Sequence, residues 1–385
     1  MTHNSHIEQL IQNLCPNGVK YIPLGEVLDY EQPTKYIVKS TEYNDAYKTP
    51  VLTAGQGFIL GYTNETDGIY KASKANPTII FDDFTTSYHW VDFNFKVKSS
   101  AMKMLRPRNN NLDVSFRYVY YAMLGIDYSP SEHSRQWISK YALFTIPLPP
   151  LPIQEEIVRT LDAFANLIEN IDTEIKERER QLDCALNALF DCNIPTKTLG
   201  EIGGFYRGNG LQKKDFVERG IGCIHYGQIY TKFSTYAKET LTYVPEQLAK
   251  KLLKVHTGNL IIACTGENIE DLCKSVVWMG KEDIVIGGHS VVYRHNQDPM
   301  YIAYYFQSPL FAKQKVKYII GAKVSDIKAE NIAKITIPLP PLAEQRAIAE
   351  KLDTIEALIA NLKTERDLRQ QQYEYYREHL INLLK

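Results

Sequence analysis

Apolar residues follow a heptad pattern in two long stretches of the chain. The first stretch runs from Ile153 to Phe190 and the second from Ala343 to Lys385, with apolar residues three or four positions apart. A heptad pattern held for about five repeats is typical of a coiled coil rather than of an ordinary surface helix. The pattern predicts two long helices that pack through these seam residues: Ile157, Leu161, Phe164, Ile168, Ile171, Ile175, Ile348, Leu352, Ile355, Ile359 and Leu362.

Three arginines interrupt the seams, at Arg178, Arg366 and Arg369. A charge at a core position of a coiled coil costs stability, but it can fix the register and orientation of the helices. Alternatively, the side chains extend along the edge of the seam until their guanidinium groups reach solvent. The sequence favours neither reading over the other.

The regions before the two helices, residues 1–145 and 191–336, form the two bodies of the chain. Their short β-branched segments, such as TPVLTA, PTIIF and SVVYR, predict brief strands, and clusters of Gly and Asn supply the turns. FRYVYYAML and PMYIAYYFQS predict short helices with an aromatic face. No regular alternation of strand and long helix appears, so a doubly wound nucleotide-binding fold is not expected. The predicted fold class is mixed α/β (α+β).

The chain contains an internal repeat. IPLPPLPIQEEIVRTLDAF begins at Ile146 and IPLPPLAEQRAIAEKLDTI begins at Ile337, 191 positions later. LGEV at Leu24 likewise returns as LGEI at Leu199. Two whole domains, each with a helical tail, fit this pattern better than a solenoid, which needs at least about three stacked units. The predicted boundaries are 1–145 for the first body, 146–190 for its junction and helix, 191–336 for the second body and 337–385 for its junction and helix.

The proline run IPLPPL predicts a stiff connection between each body and its helix. Proline cannot continue a strand ladder, and it holds the preceding residue extended. Pro152 suits the first turn of a helix, and Glu155, Glu156 and Glu344 favour the positive end of the helix dipole. A proline-rich ligand for another protein's groove is the alternative. It fits less well, because the run is apolar, repeated and followed at once by a helix.

Composition and charge narrow the function classes. The 385 residues, 44% of them hydrophobic, suffice for two or three domains with real cores. No apolar run has the length of a membrane span and the N-terminus lacks a secretory pattern, so a cytoplasmic protein is expected. The net charge is −1, but the two helical stretches carry −5 and −1, which leaves +5 elsewhere and permits phosphate contact. The six cysteines lack C-x-x-C spacing, which favours reduced thiols over a metal or disulfide framework.

Catalytic motifs are missing from the sequence. It contains no G-x-x-x-x-G-K-[ST] phosphate loop, no G-x-G-x-x-G after a strand and no N-P-P-[YF] tetrapeptide of the kind that holds a flipped adenine. Asp82 and Asp83 could imitate a pair of metal-binding carboxylates. Adjacent strand residues point to opposite faces, however, and the second repeat has uncharged residues at the matching place. We therefore predict no catalytic residue and no metal site.

The doubled junction, followed in each copy by a heptad helix, resembles the conserved regions of the specificity (S) subunit of type I restriction–modification enzymes. The opening LCPNGVKYIPLGEV is also similar to the way bodies begin in that family. The resemblance covers nearly the whole chain, although the bodies match only in outline. It implies that each body is a target recognition domain for one half of a bipartite site on double-stranded DNA, and that the two helices pack as an antiparallel coiled coil between them.

The resemblance also implies the partners of the chain. Two modification (methyltransferase) subunits are expected to bind, with restriction subunits as further partners of some complexes. S-adenosylmethionine, Mg and ATP would belong to those subunits, so this chain is expected to be non-catalytic and to carry no cofactor. A helix of about 38 to 42 residues is roughly 57 to 63 Å long. We hypothesise that this length sets the gap between two half-sites read in separate major grooves.

Candidate DNA-reading residues come from polar loops. Base edges are read by Arg, Lys, Asn and Gln, and phosphates are contacted by Lys, Arg, Ser, Thr and Tyr. TTSYHW lies between strand-like runs, SEHSRQW precedes the first junction, and GAKVSDI occupies the corresponding place before the second. A plain solvated role is the alternative for each residue, and Trp90 and Trp137 are expected to be packed. The candidates are Gln56, Thr86, Ser87, Tyr88, His89, Arg135 and Gln136 in the first body, and Arg207, Lys213, Lys214, Tyr226, Gln228, Lys274, His289 and Lys323 in the second.

Two other function classes compete with a specificity subunit. A stand-alone DNA methyltransferase or nuclease component would need the catalytic motifs that the sequence lacks. A coiled-coil scaffold without DNA would explain the heptads, but two basic, turn-rich bodies are superfluous to it. The sequence therefore favours a DNA-binding specificity subunit without a membrane partner.

Overall fold

The computed structural model describes residues 3–53, 55, 57–109, 112–190, 194–266, 268–319 and 325–385. The chain divides into two compact units. The first unit comprises Met1–Asn170 with Arg366–Lys385, and the second comprises Ile171–Glu365. Each unit thus contains one body together with one end of each long helix.

The first half of the chain has four α-helices and nine strands within the described residues, as well as 3₁₀ turns at Thr34–Tyr36 and Tyr141–Leu143. The helices are α1 (His3–Leu14), α2 (Leu24–Val27), α3 (Phe116–Met123) and α4 (Leu151–Leu189). The strands are β1 (Tyr21–Pro23), β2 (Leu28–Glu31), β3 (Thr49–Leu52), β4 (Ile59–Thr63), β5 (Thr78–Asp82), β6 (Tyr88–Val91), β7 (Lys96–Val97), β8 (Met102–Pro107) and β9 (Thr145–Pro147).

The second half repeats this order with additions. Its helices are α5 (Leu199–Ile202), α6 (Tyr226–Thr231), α7 (Glu246–Ala249), α8 (Pro299–Gln307), α9 (Pro309–Lys315), α10 (Ala329–Ile332) and α11 (Leu342–Asn382). Its strands are β10 (Thr196–Thr198), β11 (Gly203–Arg207), β12 (Ile221–Ile224), β13 (Tyr236–Ala237), β14 (Thr242–Val244), β15 (Leu253–Val255), β16 (Leu260–Ala263), β17 (Thr265–Gly266), β18 (Ser275–Trp278), β19 (Ile284–Ile286), β20 (Ser290–His295), β21 (Ser325–Asp326) and β22 (Thr336–Pro338).

The sheets confirm the mixed α/β repeat that the sequence predicts. The first body has a sheet of order β2-β8-β5-β6, and the second has β11-β20-β16-β18 with β13 added at its edge. A smaller sheet of order β4-β3-β7 likewise corresponds to β14-β12-β19, extended by β15. In both smaller sheets one pair is parallel, β3 with β7 and β12 with β19. The bodies are therefore two versions of one topology.

The junctions are built alike in the two repeats. Strand β1 pairs with β9 through Ile22 and Ile146, and β10 pairs with β22 through Lys197 and Ile337. Both strands end at the first proline of the run, Pro147 or Pro338, and the helices begin four positions later. The N–H groups of Leu148 and Leu339 still donate to the carbonyls of Lys20 (2.7 Å) and Pro195 (2.9 Å). The pairing stops after them, because the prolines that follow have no N–H to donate.

The repeated LGE segment has a steric reason. A Cβ atom at Gly25 would lie 3.2 Å from the carbonyl oxygen of Ala142, and one at Gly200 would lie 3.1 Å from that of Ala333. These distances are tighter than ordinary van der Waals contact, so glycine lets the short helix approach the segment that leads into the junction. The same close approach in both repeats explains why the landmark recurs.

A buried glutamine near the start of each long helix stabilises the junction, a role that the repeat pattern alone does not predict. Gln154 accepts a hydrogen bond from the Ser115 N–H (2.9 Å) and donates one to the Pro149 carbonyl (2.8 Å). Gln345 accepts from the Asp298 N–H (3.1 Å) and donates to the Pro340 carbonyl (2.8 Å). Each amide ties its helix to the proline run and to the residue that precedes the aromatic helix of the same body.

The main core of the first unit takes side chains from both ends of the chain. Residues of β2, β5 and β8 pack against α1 and α3, and Ile157 and Leu161 join them from the start of α4. Leu380, Ile381 and Leu384, from the end of α11 and just beyond it, are buried in the same cluster. The predicted segment 337–385, a junction with its spacer helix, therefore ends in the core of the first unit.

The second unit mirrors this arrangement. Leu186 and Phe190, at the end of α4, share a core with Ile348 and Leu352 at the start of α11. The Phe190 ring lies 5.1 Å from the Tyr301 ring of α8. In both units, therefore, one helix starts where the other ends, and the two run antiparallel.

The seam residues lie on the faces where the helices pack. Eight of the eleven predicted positions are buried and the other three are partly buried. One of these three, Phe164, stacks on Tyr376 in the first unit with ring centroids 5.1 Å apart. In the second unit Lys363 forms an ion pair with Glu179 at 2.7 Å. Arg178 lies 2.5 Å from Glu174 of its own helix and is half-buried, which fits the alternative that this arginine reaches the solvent edge. Within the described ranges, none of the helices combines the length and the apolarity that a membrane span requires.

Candidate nucleic-acid interface

The hairpin of β5 and β6 forms one edge of the first body. At its end, the Asp82 N–H donates to the Ser87 carbonyl and the Thr86 N–H donates to the Asp82 carbonyl, both at 2.9 Å. The Asp82 carboxylate accepts from the N–H groups of Phe84 and Thr85, both at 2.8 Å. Thr86 has a φ of +59°, in the left-handed region. The hairpin end is therefore a tight turn with its backbone donors satisfied.

The equivalent hairpin of the second body, β16 with β18, ends in the same way. The Ala263 N–H donates to the Lys274 carbonyl (2.9 Å), and the Cys273 N–H donates to the Ala263 carbonyl (3.0 Å). Cys273 has a φ of +68°. Thr86 and Cys273 thus correspond, as do Ser87 and Lys274, although the second hairpin has a longer connection.

In the first body a buried ion pair fastens the hairpin end to the loop before the junction. Asp83 lies 3.0 Å from Lys103, and both side chains are only 1% exposed. The Asp83 carboxylate also accepts hydrogen bonds from the N–H groups of Gln136 (3.1 Å) and Trp137 (2.8 Å). Arg135 reaches the same carboxylate at 3.3 Å. The segment SEHSRQW therefore contacts the turn directly before TTSYHW.

Arg135 and Gln136 have different roles at this edge. The Arg135 side chain is 52% exposed, so its guanidinium is accessible. Gln136 is fully buried; it accepts from the Tyr128 hydroxyl (2.7 Å) and donates to the Ser134 carbonyl (2.7 Å). The Gln136 amide therefore stabilises the loop, and we do not include Gln136 among the residues proposed to contact DNA.

The remaining first-body candidates also separate by burial. Thr86 is buried, and its hydroxyl donates to the Thr85 carbonyl at 2.7 Å. Tyr88 packs edge-on against Tyr120 on the core side, where burial raises the pKa of its hydroxyl well above the ordinary value. His89 lies on the opposite face, with its ring 4.7 Å from Phe58. Ser87 is half-exposed at the hairpin end, and Gln56 lies outside the described residues.

In the second body, several candidates surround a cleft of about 510 Å³. The rings of Tyr226 and His289 lie 4.9 Å apart, and His289 Nδ1 is 3.3 Å from the Thr265 hydroxyl. The Tyr230 hydroxyl donates to the Thr265 carbonyl (2.9 Å), and Lys274 donates to the Tyr230 carbonyl (3.1 Å). Two predicted residues, Tyr226 and His289, therefore line one polar, aromatic cleft, and Lys274 contacts its wall.

Four other second-body candidates do not line this cleft. Arg207 is exposed and donates to the carbonyl of Gly288, next to His289, at 3.2 Å. Lys213 and Lys214 are exposed on a 3₁₀ turn. Burial, aided by the nearby charge of Lys213, lowers the pKa of His225. Gln228 accepts from the His225 N–H (2.9 Å) as part of the cap of α6, so its amide oxygen serves the local fold.

The structure changes the predicted correspondence between GAKVSDI and SRQWISK. The Gln136 N–H donates to the Asp83 carbonyl (2.8 Å), and the Ile327 N–H donates to the Cys264 carbonyl (3.1 Å). These matching bonds place Ile327 at the position of Gln136 and Asp326 at the position of Arg135. Lys323, which the sequence aligned with that loop, lies outside the described residues.

Sequence reasoning missed the ion pair that fixes the first edge. The sequence pattern suggests a metal-site role for Asp83 and no role for Lys103. A signal was present, since Lys103 lies within the apolar run Met102–Leu105 and therefore predicts a buried counter-charge. Among the residues that the structure describes, no three His, Cys, Asp or Glu side chains converge as a metal site would require.

Comparisons with known proteins follow the same division into two repeats. The family model described as "Type I restriction modification DNA specificity domain" matches residues 16–178 and again 195–368. The chain is 36% identical, over its full length, to 98% of the specificity subunit of a type I restriction enzyme from Escherichia coli. A type I specificity subunit from Methanocaldococcus jannaschii is 26% identical over 62% of this chain and 60% of that protein.

A solved structure shares the fold. The type I restriction–modification S subunit from M. genitalium is 15% identical and superposes with a TM-score of 0.59. The match covers 94% of this chain and 96% of that one. The arrangement of two bodies and two long helices is thus similar in the two proteins, although few residues are shared.

Proposed function

Because the chain belongs to the family of type I restriction–modification DNA specificity subunits, we propose that its two bodies read the two halves of one bipartite DNA site. A specificity subunit is the non-catalytic recognition part of its enzyme. Catalysis and its cofactors, S-adenosylmethionine, Mg and ATP, belong to the partner subunits. The proposal rests on the hairpin edge of each body, the end of the β5–β6 hairpin in the first and of the β16–β18 hairpin in the second. The two edges have the same backbone hydrogen bonds and the same left-handed residue, but different side chains.

The accessible polar residues of each edge form the proposed contact set. In the first body these are Ser87 and Arg135. The charge of Asp83 remains balanced by Lys103 when Arg135 leaves it, so Arg135 can exchange a long ion pair for a phosphate or a guanine edge. In the second body the set is Arg207, Lys213, Lys214, Tyr226, Lys274 and His289, with Lys323 kept from the sequence prediction.

The chain is a component of a type I restriction–modification complex. Our proposal extends this to two modification subunits, one for each repeat, with restriction subunits as further partners. Two equivalent repeats in one chain offer two equivalent binding positions, which supports a pair of identical partners. The proposed location is the cytoplasm, where the chromosome is accessible to the complex.

Long-read mapping of methylated adenines tests the proposal directly. Cells would express this chain together with its modification subunits, and control cells would express the modification subunits alone. We expect a bipartite methylated motif with an unread gap, present only when this chain is expressed. A single uninterrupted motif, or identical methylation in the control cells, would contradict the proposal.

A further inference from the structure

Each hairpin edge carries a strained residue at the same place. Thr86 and Cys273 have positive φ values of +59° and +68°, and the N–H of each donates to the carbonyl of the last residue of the preceding strand. A non-glycine residue is uncommon in this region, and a β-branched residue such as threonine is an outlier there. Glycine is the usual residue where a bulge needs this conformation. Two bodies with different sequences therefore keep the same unfavourable backbone.

The surroundings hold both residues in this conformation. The Thr86 side chain is 7% exposed, and its hydroxyl bonds to the neighbouring Thr85 carbonyl. The Cys273 side chain is 1% exposed and belongs to the main core of the second unit. Strain of this kind persists only where packing over-determines it, and it gathers at functional sites.

The residue after each strained position belongs to the proposed contact set. The carbonyls of Ser87 and Lys274 both accept a hydrogen bond from the last residue of the preceding strand. The left-handed residue before each of them therefore determines the direction in which the Ser87 or Lys274 side chain extends. In the first body Gln136 and Trp137 are fastened to the same turn through Asp83. In the second body β17 pairs with β21, which fastens Thr265 to Asp326.

We infer that Thr86 and Cys273 are positioning residues for specificity: their constrained backbone presents Ser87 and Lys274, with the attached loops, in one orientation before DNA binds. This inference deepens the proposed function and rests on it. A side chain at each position removes the conformational freedom that glycine would restore. An edge fixed before binding loses less freedom on binding, and it penalises a mismatched base because it cannot adjust to it.

Glycine substitution tests the inference, because it relieves the strain and keeps the left-handed conformation accessible. The variants are Thr86→Gly and Cys273→Gly, each in the complex with the modification subunits. Matched controls, Thr86→Ser and Cys273→Ala, keep a Cβ atom and so keep the constraint. Methylation rates would be measured on the mapped site and on sites with single base changes in one half at a time.

We expect Thr86→Gly to lower discrimination about tenfold in one half-site and Cys273→Gly to do so in the other, about the value of one mismatch. The Ser and Ala controls should discriminate like the unaltered protein. Wild-type discrimination in both glycine variants would overturn the inference, and so would an equal loss in both half-sites, which would signal a general loosening of the fold. If the unaltered complex reads no bipartite site, the proposed function itself fails, and the two failures are therefore distinguishable.

Discussion

The first body fastens its hairpin edge with a buried ion pair, whereas the second body fastens the equivalent edge with two short strands. Asp83 and Lys103 are only 1% exposed in the first body, whereas in the second body the described residues of β17 and β21 are joined by backbone pairing of Thr265 with Asp326 and of Gly266 with Ser325. Both solutions keep the same backbone hydrogen bond between hairpin and loop. The repeat thus preserves its main-chain geometry while the side chains that enforce it change.

A second difference lies where a long helix contacts the aromatic helix of each body. Helix α4 supplies a carboxylate to α3, and helix α11 supplies one to α8. The Tyr121 hydroxyl donates to Asp162 (2.5 Å), which also pairs with Arg117 (2.8 Å). In the second unit the Tyr304 hydroxyl donates to Asp353 (2.6 Å) and to Glu356 (3.0 Å). One tyrosine therefore faces a carboxylate with a cation, and the other faces two carboxylates.

The largest expected effect concerns the feature that the two repeats share, their antiparallel helices. Removing one heptad from the middle of α4 and one from α11 shortens each helix by about 10 Å. We expect the unread gap in the methylated motif to shrink by about three base pairs, at about 3.4 Å per base pair, with both half-sites unchanged. Mapping of methylated adenines would show it. An unchanged gap would refute a spacer role for the helices.

Lys103→Met tests the buried ion pair, because it leaves the Asp83 charge uncompensated in the core. We expect the first unit to lose about 3–5 kcal/mol of stability, while the second unit is unaffected. Hydrogen exchange resolved along the chain would separate the two units. Lys98→Met, at an exposed position of the same body, is the matched control. Adding Asp83→Asn to Lys103→Met should recover part of the lost stability.

The two junction glutamines offer a symmetric comparison. Gln154→Ala and Gln345→Ala each leave a partly buried N–H and a buried carbonyl without the glutamine as partner. We expect a loss of about 1–3 kcal/mol in the unit that carries the change, and similar values for both. Denaturation followed by hydrogen exchange would measure it. Gln371→Ala, at an exposed helical position, should have no such effect.

Arg135→Ala tests the exposed arginine beside the hairpin end of the first body. We expect discrimination in one half-site to fall by about 1–3 kcal/mol, with the other half-site unchanged. Methylation rates on single-base variants of the mapped site would measure the change, and Lys74→Ala, at an exposed position of the same body, serves as control. Equal weakening on unrelated DNA would mean that Arg135 contacts phosphate only. The same test applies to Lys323→Ala in the second body.

The smallest expected effect is a pH dependence of the second unit. Burial, with the charge of Glu356 nearby, raises the pKa of Asp353 above its ordinary value of 3.8. The protonated carboxyl is therefore favoured in the folded state, so its stabilisation is complete below that ordinary value and is lost as the pH rises through the folded pKa. Asp353→Asn should flatten this part of the stability profile, measured by denaturation from about pH 4 to about pH 7. Glu239→Gln, exposed in the same unit and not among the groups that shift this pKa, should leave it unchanged.

Local and periodic signals made the architecture predictable. The heptads and the offset between the two junctions appear within the sequence itself, so the long helices and the repeat could be predicted. The sharing of cores could not, because nothing in the pattern around Leu380 indicates which body will bury it. That choice depends on the antiparallel pairing of two helices that are far apart in the chain.

The recognition edge was predictable as a region but not as a set of side chains. The polarity of TTSYHW and SEHSRQW marks both as candidate loops, and SEHSRQW contacts the turn directly before TTSYHW. Which residue of a polar loop is exposed depends on tertiary partners: Gln136 is buried against Tyr128, while its neighbour Arg135 is not. For a similar reason, the second-body residue that corresponds to Arg135 is Asp326 and not Lys323. Backbone hydrogen bonds, rather than similarity between residues, determine which positions of the two loops correspond.

The shared core of the first unit has a consequence for protein synthesis. Residues 366–385 complete that core, yet they leave the ribosome long after residue 170. At ~5–20 residues per second, the first body waits on the order of tens of seconds for its last helix. Residues 171–365 are synthesised in one run, so the second unit can close before the first. The order of folding is therefore opposite to the usual order of translation, and the first body is the one that needs protection while the chain grows.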